Sequence, residues 1–78
     1  MTYEIIWEPA FTRAATRFLD DAAFIQFLAH VDALAHDPRP VGSVPWGEMY
    51  RLHVGRYRVM YEIKDKAIHL INLGRTAS

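Results

Sequence analysis

The spacing of apolar residues changes from helical to alternating at His36-Asp37-Pro38-Arg39-Pro40, and that change dictates which elements can form on either side. Before it, Phe11, Ala14, Ala15, Phe18 and Leu19 recur at helical spacing, as do Phe24, Phe27, Leu28, Val31, Leu34 and Ala35. This is the repeat of an apolar stripe on an α-helix. After it, Tyr50, Leu52 and Val54 alternate with Arg51 and His53, and Tyr57, Val59, Tyr61 and Ile63 alternate with Arg58, Met60 and Glu62. That period belongs to strands with one buried and one wet face. A helix cannot run through the change, because a residue before proline is pushed out of the helical region.

The flanking residues set the element boundaries. Tyr3-Glu4-Ile5-Ile6-Trp7 is β-branched and aromatic and reads as a first strand, ended by Pro9, which suits the first turn of a helix. Asp20-Asp21 breaks the stripe and offers a capping carboxylate to a second helix. Residues 41–47 read as a loop, Gly55 as a turn between two strands, and Asp65-Lys66 as a tight connection to a last strand over 67–73. The order is β-α-α-β-β-β. It predicts an α+β fold in which a two-helix hairpin packs on one face of a small, mainly antiparallel sheet. Phe11, Phe18, Phe27, Leu28, Val31, Val54, Val59 and Ile63 are the expected core. With 78 residues, the chain has length for one domain, 1–78, and its four Phe, four Tyr and two Trp can fill that core without disulfides or metals.

Several classes are excluded or disfavoured. The chain has no cysteine, so a disulfide framework and thiolate metal sites are ruled out. None of His30, His36, His53 and His69 forms a helical i,i+4 pair, so no metal or cofactor is expected. Gly55 and Gly74 sit in no phosphate-loop pattern. No apolar run is long enough to span a bilayer, and Met1-Thr2-Tyr3-Glu4 lacks the features of a secretory signal; the expected location is the cytoplasm. Net charge is zero, but residues 1–47 carry three Arg against six acids, and residues 48–78 carry six bases against three. An anionic ligand therefore belongs with the C-terminal strands. If the apolar strand residues face the helices, Arg51, His53, Arg58 and Glu48 look outward, either as a phosphate-gripping group or as an ordinary solvated face with Arg58 paired to Glu62.

The block Tyr50-Arg51-Leu52-His53-Val54-Gly55-Arg56-Tyr57-Arg58-Val59-Met60-Tyr61-Glu62-Ile63 resembles the signature hairpin of the RelE/ParE toxin superfamily, and Ile71-Asn72-Leu73-Gly74-Arg75 is similar to its last strand. The Trp7-x-Pro9 helix start and the Asp37-Pro38 helix stop agree with the same pattern. The resemblance implies a toxin held inactive by a cognate antitoxin. For RelE-type members it implies endonucleolytic cleavage of mRNA on the ribosome, without metal or cofactor; for ParE-type members, inhibition of DNA gyrase without chemistry. A member that keeps only antitoxin binding is a third possibility.

Cleavage by attack of a ribose 2′-hydroxyl on the adjacent phosphate needs a proton acceptor, stabilisation of charge on the phosphate, and a proton for the leaving oxygen. By the resemblance, Arg58 is the phosphate-binding arginine, Arg51 and His53 are outward basic residues beside it, Arg75 is the terminal basic position, and Glu48 is a candidate general base. Tyr57 and Tyr61 are read instead as core residues with their hydroxyls at its rim.

Overall fold

The run Glu4–Trp7 forms strand β1, and Pro9 begins helix α1, Pro9–Phe18, where its missing N–H costs no hydrogen bond. Glu8, at the N-cap, does not cap the helix; its carboxylate lies 3.1 Å from Nδ1 of His69 instead. Helix α2, Asp21–His36, starts as the sequence predicts, with the Asp20 carboxylate accepting from the Ala23 N–H at 2.8 Å. Asp37, in extended conformation before Pro38, ends it. Strands β2 (Val44–Trp46), β3 (Met49–Val54), β4 (Tyr57–Lys64) and β5 (Ala67–Arg75) follow. The computed structural model describes residues 2–75; Met1 and residues 76–78 lie outside that range.

One sheet holds all five strands in the order β1-β5-β4-β3-β2. β1 pairs with β5 in parallel, and the other neighbours are antiparallel hairpins. The hairpins turn on residue pairs that include a positive φ: Gly47 at 64°, Gly55 at 61° and Asp65 at 56°. Two-residue turns of this hand match the twist of the flanking strands.

The two helices and the inward side chains of the sheet share a single core. Phe11 and Ala15 from α1 and Phe27, Val31 and Leu34 from α2 meet Val59, Tyr61, Ile68, Leu70 and Leu73. Phe11, Val59, Tyr61, Ile68 and Leu70 are all under 2% exposed, and burying such a side chain contributes about 1.5–3 kcal/mol. Trp7 joins the helices through ring contacts with Phe11 at 5.4 Å and Phe27 at 6.3 Å. Tyr57 and Tyr61 are placed as expected. Tyr57 donates to the Phe18 carbonyl at 3.2 Å, which would otherwise be an orphan of the last helical turn, and Tyr61 donates to the Pro38 carbonyl at 2.8 Å.

Two expectations need correction. Residues 41–47 are not a plain loop, because Val44–Trp46 pair with Met49–Arg51. A proline inside a strand is tolerated there because β2 is the edge, where one side of the backbone needs no donor. The core also differs in detail: Phe18, Val54 and Ile63 are only partly buried, and Leu28 is 41% exposed. α2 is apolar nearly all round, so its period alone did not choose between the stripe that faces the core and the residue one step around the helix. Among the described residues, no helix is long and apolar enough to cross a membrane.

Candidate functional site

The face of the sheet turned away from the helices is laid out by the strand registers. Directly paired residues project to the same side. Arg51 pairs with Val44 on one side and Met60 on the other, and Met60 pairs with Asn72, so these four residues form one row across β2, β3, β4 and β5. The next row is His53, Arg58 and Gly74. Trp46, Arg51, Arg58, Met60, Asn72 and Gly74 together line a cavity of about 250 Å³ with no carboxylate in its wall.

Each basic side chain has an identifiable setting. The Arg51 guanidinium lies over the Trp46 ring, 4.8 Å from its centroid, an attraction between a cation and the ring's negative face. A methyl group at Gly74 would meet Nη2 of Arg58 at 3.8 Å, so the Arg58 guanidinium runs across the bare backbone of the neighbouring strand. The ion pair between Arg58 and Glu62 considered from the sequence does not form, since Glu62 pairs with Lys64 at 3.1 Å. His53 is exposed beside Arg58 on the adjacent strand. Arg51 and Arg58 are therefore brought together at one cavity, with guanidinium donors suited to phosphate oxygens, while His53, the cross-strand neighbour of Arg58, lines a separate cavity with His30, Leu34 and Pro40.

Arg75 and Glu48 are not part of this group. Met60 pairs with Asn72 while Tyr61 pairs with Leu70, which leaves Ile71 as an extra residue in β5. Simple alternation from Ile68 would turn Asn72 inward and Arg75 outward. The bulge reverses both, so Leu70 and Leu73 are buried together, Asn72 and Gly74 join Arg58, and Arg75 pairs with Tyr57 on the helix side. Glu48 lies in the β2–β3 turn, five residues along the sheet from the row of Arg58, or about 17 Å. It is not among the residues that line the arginine cavity.

Sequence reasoning missed Trp46, Met60 and Asn72. The contribution of Trp46 depends on β2 being a strand and that of Asn72 on the bulge, neither of which is visible in the hydrophobic period; Met60 lies on the face of β4 that the alternation already turns outward. On the opposite side, a larger cavity of about 570 Å³ opens between the helices, lined mainly by apolar groups of Trp7, Ala15, Leu19 and Phe24 with Thr12, Thr16 and Asp21. It lies away from the arginines and carries no chemistry for phosphate. The connection from α2 to β2 is fixed by Arg39, whose Nε–H donates to the Tyr50 hydroxyl at 2.9 Å; that hydrogen bond is the main reason its pKa is raised. Among the described residues, no group of His, Asp and Glu is arranged to hold a metal ion.

A family model described as the ParE toxin of the type II toxin-antitoxin system parDE matches residues 5–78. No curated protein matches the chain. Among solved structures, the chain is similar to one from the toxin-antitoxin complex RelBE2 of Mycobacterium tuberculosis, with TM-score 0.80 and 14% identity over 96% of this chain and 99% of that one. It is similar to a mutant of E. coli toxin RelE in the free state, with TM-score 0.80 and 17% identity over 96% of this chain and 84% of that one. A conserved hypothetical protein of Helicobacter pylori aligns with TM-score 0.55 and 16% identity over 94% of this chain and 93% of that one. At these identities the likeness is one of fold, and function has to be argued from the site.

Proposed function

Because the chain belongs to the ParE toxin family of type II toxin-antitoxin systems, we propose that it is a toxin that cleaves mRNA on the ribosome through the outward face of its sheet. The observation that carries this reading is the convergence of Arg51 and Arg58 from adjacent strands on one carboxylate-free cavity, with His53 paired across the strands to Arg58. Two guanidinium groups hold the non-bridging oxygens of a phosphodiester and stay charged throughout the reaction. The ribose 2′-hydroxyl attacks phosphorus and passes its proton to the His53 imidazole. The bond from phosphorus to the 5′-oxygen breaks, and that oxygen takes a proton from solvent. The products are a 2′,3′-cyclic phosphate and a 5′-hydroxyl end. Glu48 and Arg75 have no part in this step.

A cognate antitoxin is the proposed partner on the other side of the molecule. Phe24, Ile25 and Leu28 leave an apolar strip exposed along α2, which an amphipathic segment of an antitoxin would cover. The protein's location is proposed to be the cytoplasm, where ribosomes are. A second reading follows from the matching model being that of ParE toxins: inhibition of DNA gyrase without bond cleavage.

The test uses programmed ribosomes and purified gyrase side by side. The nuclease reading expects transcripts cut on ribosomes and a loss of roughly 100-fold in rate for Arg58→Ala, the scale of removing one charge-stabilising donor. Arg75→Ala and Glu48→Ala should leave the rate within a few-fold of the native protein. Blocked supercoiling with intact transcripts would refute the nuclease reading and support the gyrase one.

A further inference from the structure

We infer that Trp46 is a stacking platform for the base of an unpaired nucleotide whose phosphodiester lies on Arg51 and Arg58. The inference rests on the phosphate reading of the same face and adds the part of the ligand that phosphate contacts cannot specify.

Trp46 ends an edge strand with 53% of its surface exposed, although Trp is the side chain with most apolar surface to lose from water. Its position is nevertheless fixed. Pro45 restricts the backbone before it, Gly47 turns the chain directly after it with φ 64°, and the Arg51 guanidinium lies over its ring, 4.8 Å from the centroid. The same cavity is lined by Arg58, Met60 and Asn72. A guanidinium held over one ring still has five N–H donors, and those directed into the cavity can meet phosphate oxygens. The backbones of Trp46 on β2 and Arg58 on β4 lie two strand spacings apart across the sheet, about 10 Å, and four residues apart along it, about 14 Å; Arg51 lies between them, and the three side chains reach one cavity. The cavity wall thus runs from an exposed aromatic ring to two cations, as in surfaces that bind single-stranded nucleic acid. Stacking accepts any base, because every base has a π-face. The ligand class is therefore a single strand, with Asn72 offering both a donor and an acceptor at the far side of the cavity.

The test measures binding of fluorescein-labelled pentathymidylate and of an abasic phosphodiester of the same length by anisotropy. Neither carries a 2′-hydroxyl, so neither can be cut. The base-bearing strand should bind about tenfold more tightly, Trp46→Leu should abolish that difference, and Trp46→Tyr should restore most of it. Arg58→Ala should weaken both strands alike. Equal affinity of the native protein for the two strands, or a Trp46→Leu variant that keeps the preference with its melting temperature intact, would overturn the stacking role and leave the phosphate site standing. Failure of the native protein to bind either strand would overturn both.

Discussion

Replacing Tyr61 by Phe isolates one hydrogen bond in the centre of the molecule. The ring is fully buried, stacks on Tyr50 with centroids 5.8 Å apart, and sends its hydroxyl to the Pro38 carbonyl at 2.8 Å. Phe keeps the ring and its contacts and removes only the donor. A hydrogen bond of this kind contributes a net 0.5–1.5 kcal/mol, or about 1 kcal/mol. Pro38 is only partly buried, so water can reach its carbonyl in the variant and the cost stays near that figure. For a domain this size, thermal unfolding should shift down by roughly 4–8 °C. Tyr61→Ala also removes the ring and should cost about 3–5 kcal/mol, a large share of a total near 4–12 kcal/mol at roughly 0.05–0.15 kcal/mol per residue.

The pH dependence gives an independent check. Burial raises the Tyr61 pKa, because the phenolate is penalised away from water. The folded state therefore holds this proton more tightly than the unfolded state. The stabilisation is fully present below the unfolded value, about pH 10, and is lost as pH rises through the folded value. Denaturant titrations should show the gap between native protein and Tyr61→Phe constant at neutral pH and narrowing above about pH 10. A gap of zero at pH 7, or one that widens in alkali, would refute the argument.

Asp20→Ala removes the carboxylate that caps α2 and should cost about 1 kcal/mol by chemical denaturation, whereas Asp20→Asn should cost little. Phe27→Ala empties a site that is 2% exposed and should cost about 3–5 kcal/mol. Leu28→Ala, at the neighbouring exposed position, should cost well under 1 kcal/mol in the isolated protein. Saturating antitoxin should raise the melting temperature of the native chain, and Leu28→Ala should reduce that rise, as seen by differential scanning fluorimetry.

The sequence alone carried the order of elements, the α+β class and the faces of β3 and β4. Each of these follows from local chemistry. Prolines stop helices, Asp20 caps one, and a strict two-residue alternation in β3 and β4 leaves Arg51, His53 and Arg58 on the side away from Val59 and Tyr61. The family hairpin was legible for the same reason, since Tyr50–Ile63 is a continuous local block. Only the tertiary structure decided which distant residues share that outward face. A three-residue edge strand containing Pro45 has too little pattern to be seen until β3 is there to pair with it, so Trp46 went unnoticed. One extra residue at Ile71 shifts the alternation of β5, because Leu70 and Leu73 can both reach the core only across a bulge. That shift brings Asn72 and Gly74 to Arg58 and carries Arg75 to the helix side. Hydrophobic period records which side of a strand is dry, but the register between strands is set by how two whole elements bury their surfaces against a third.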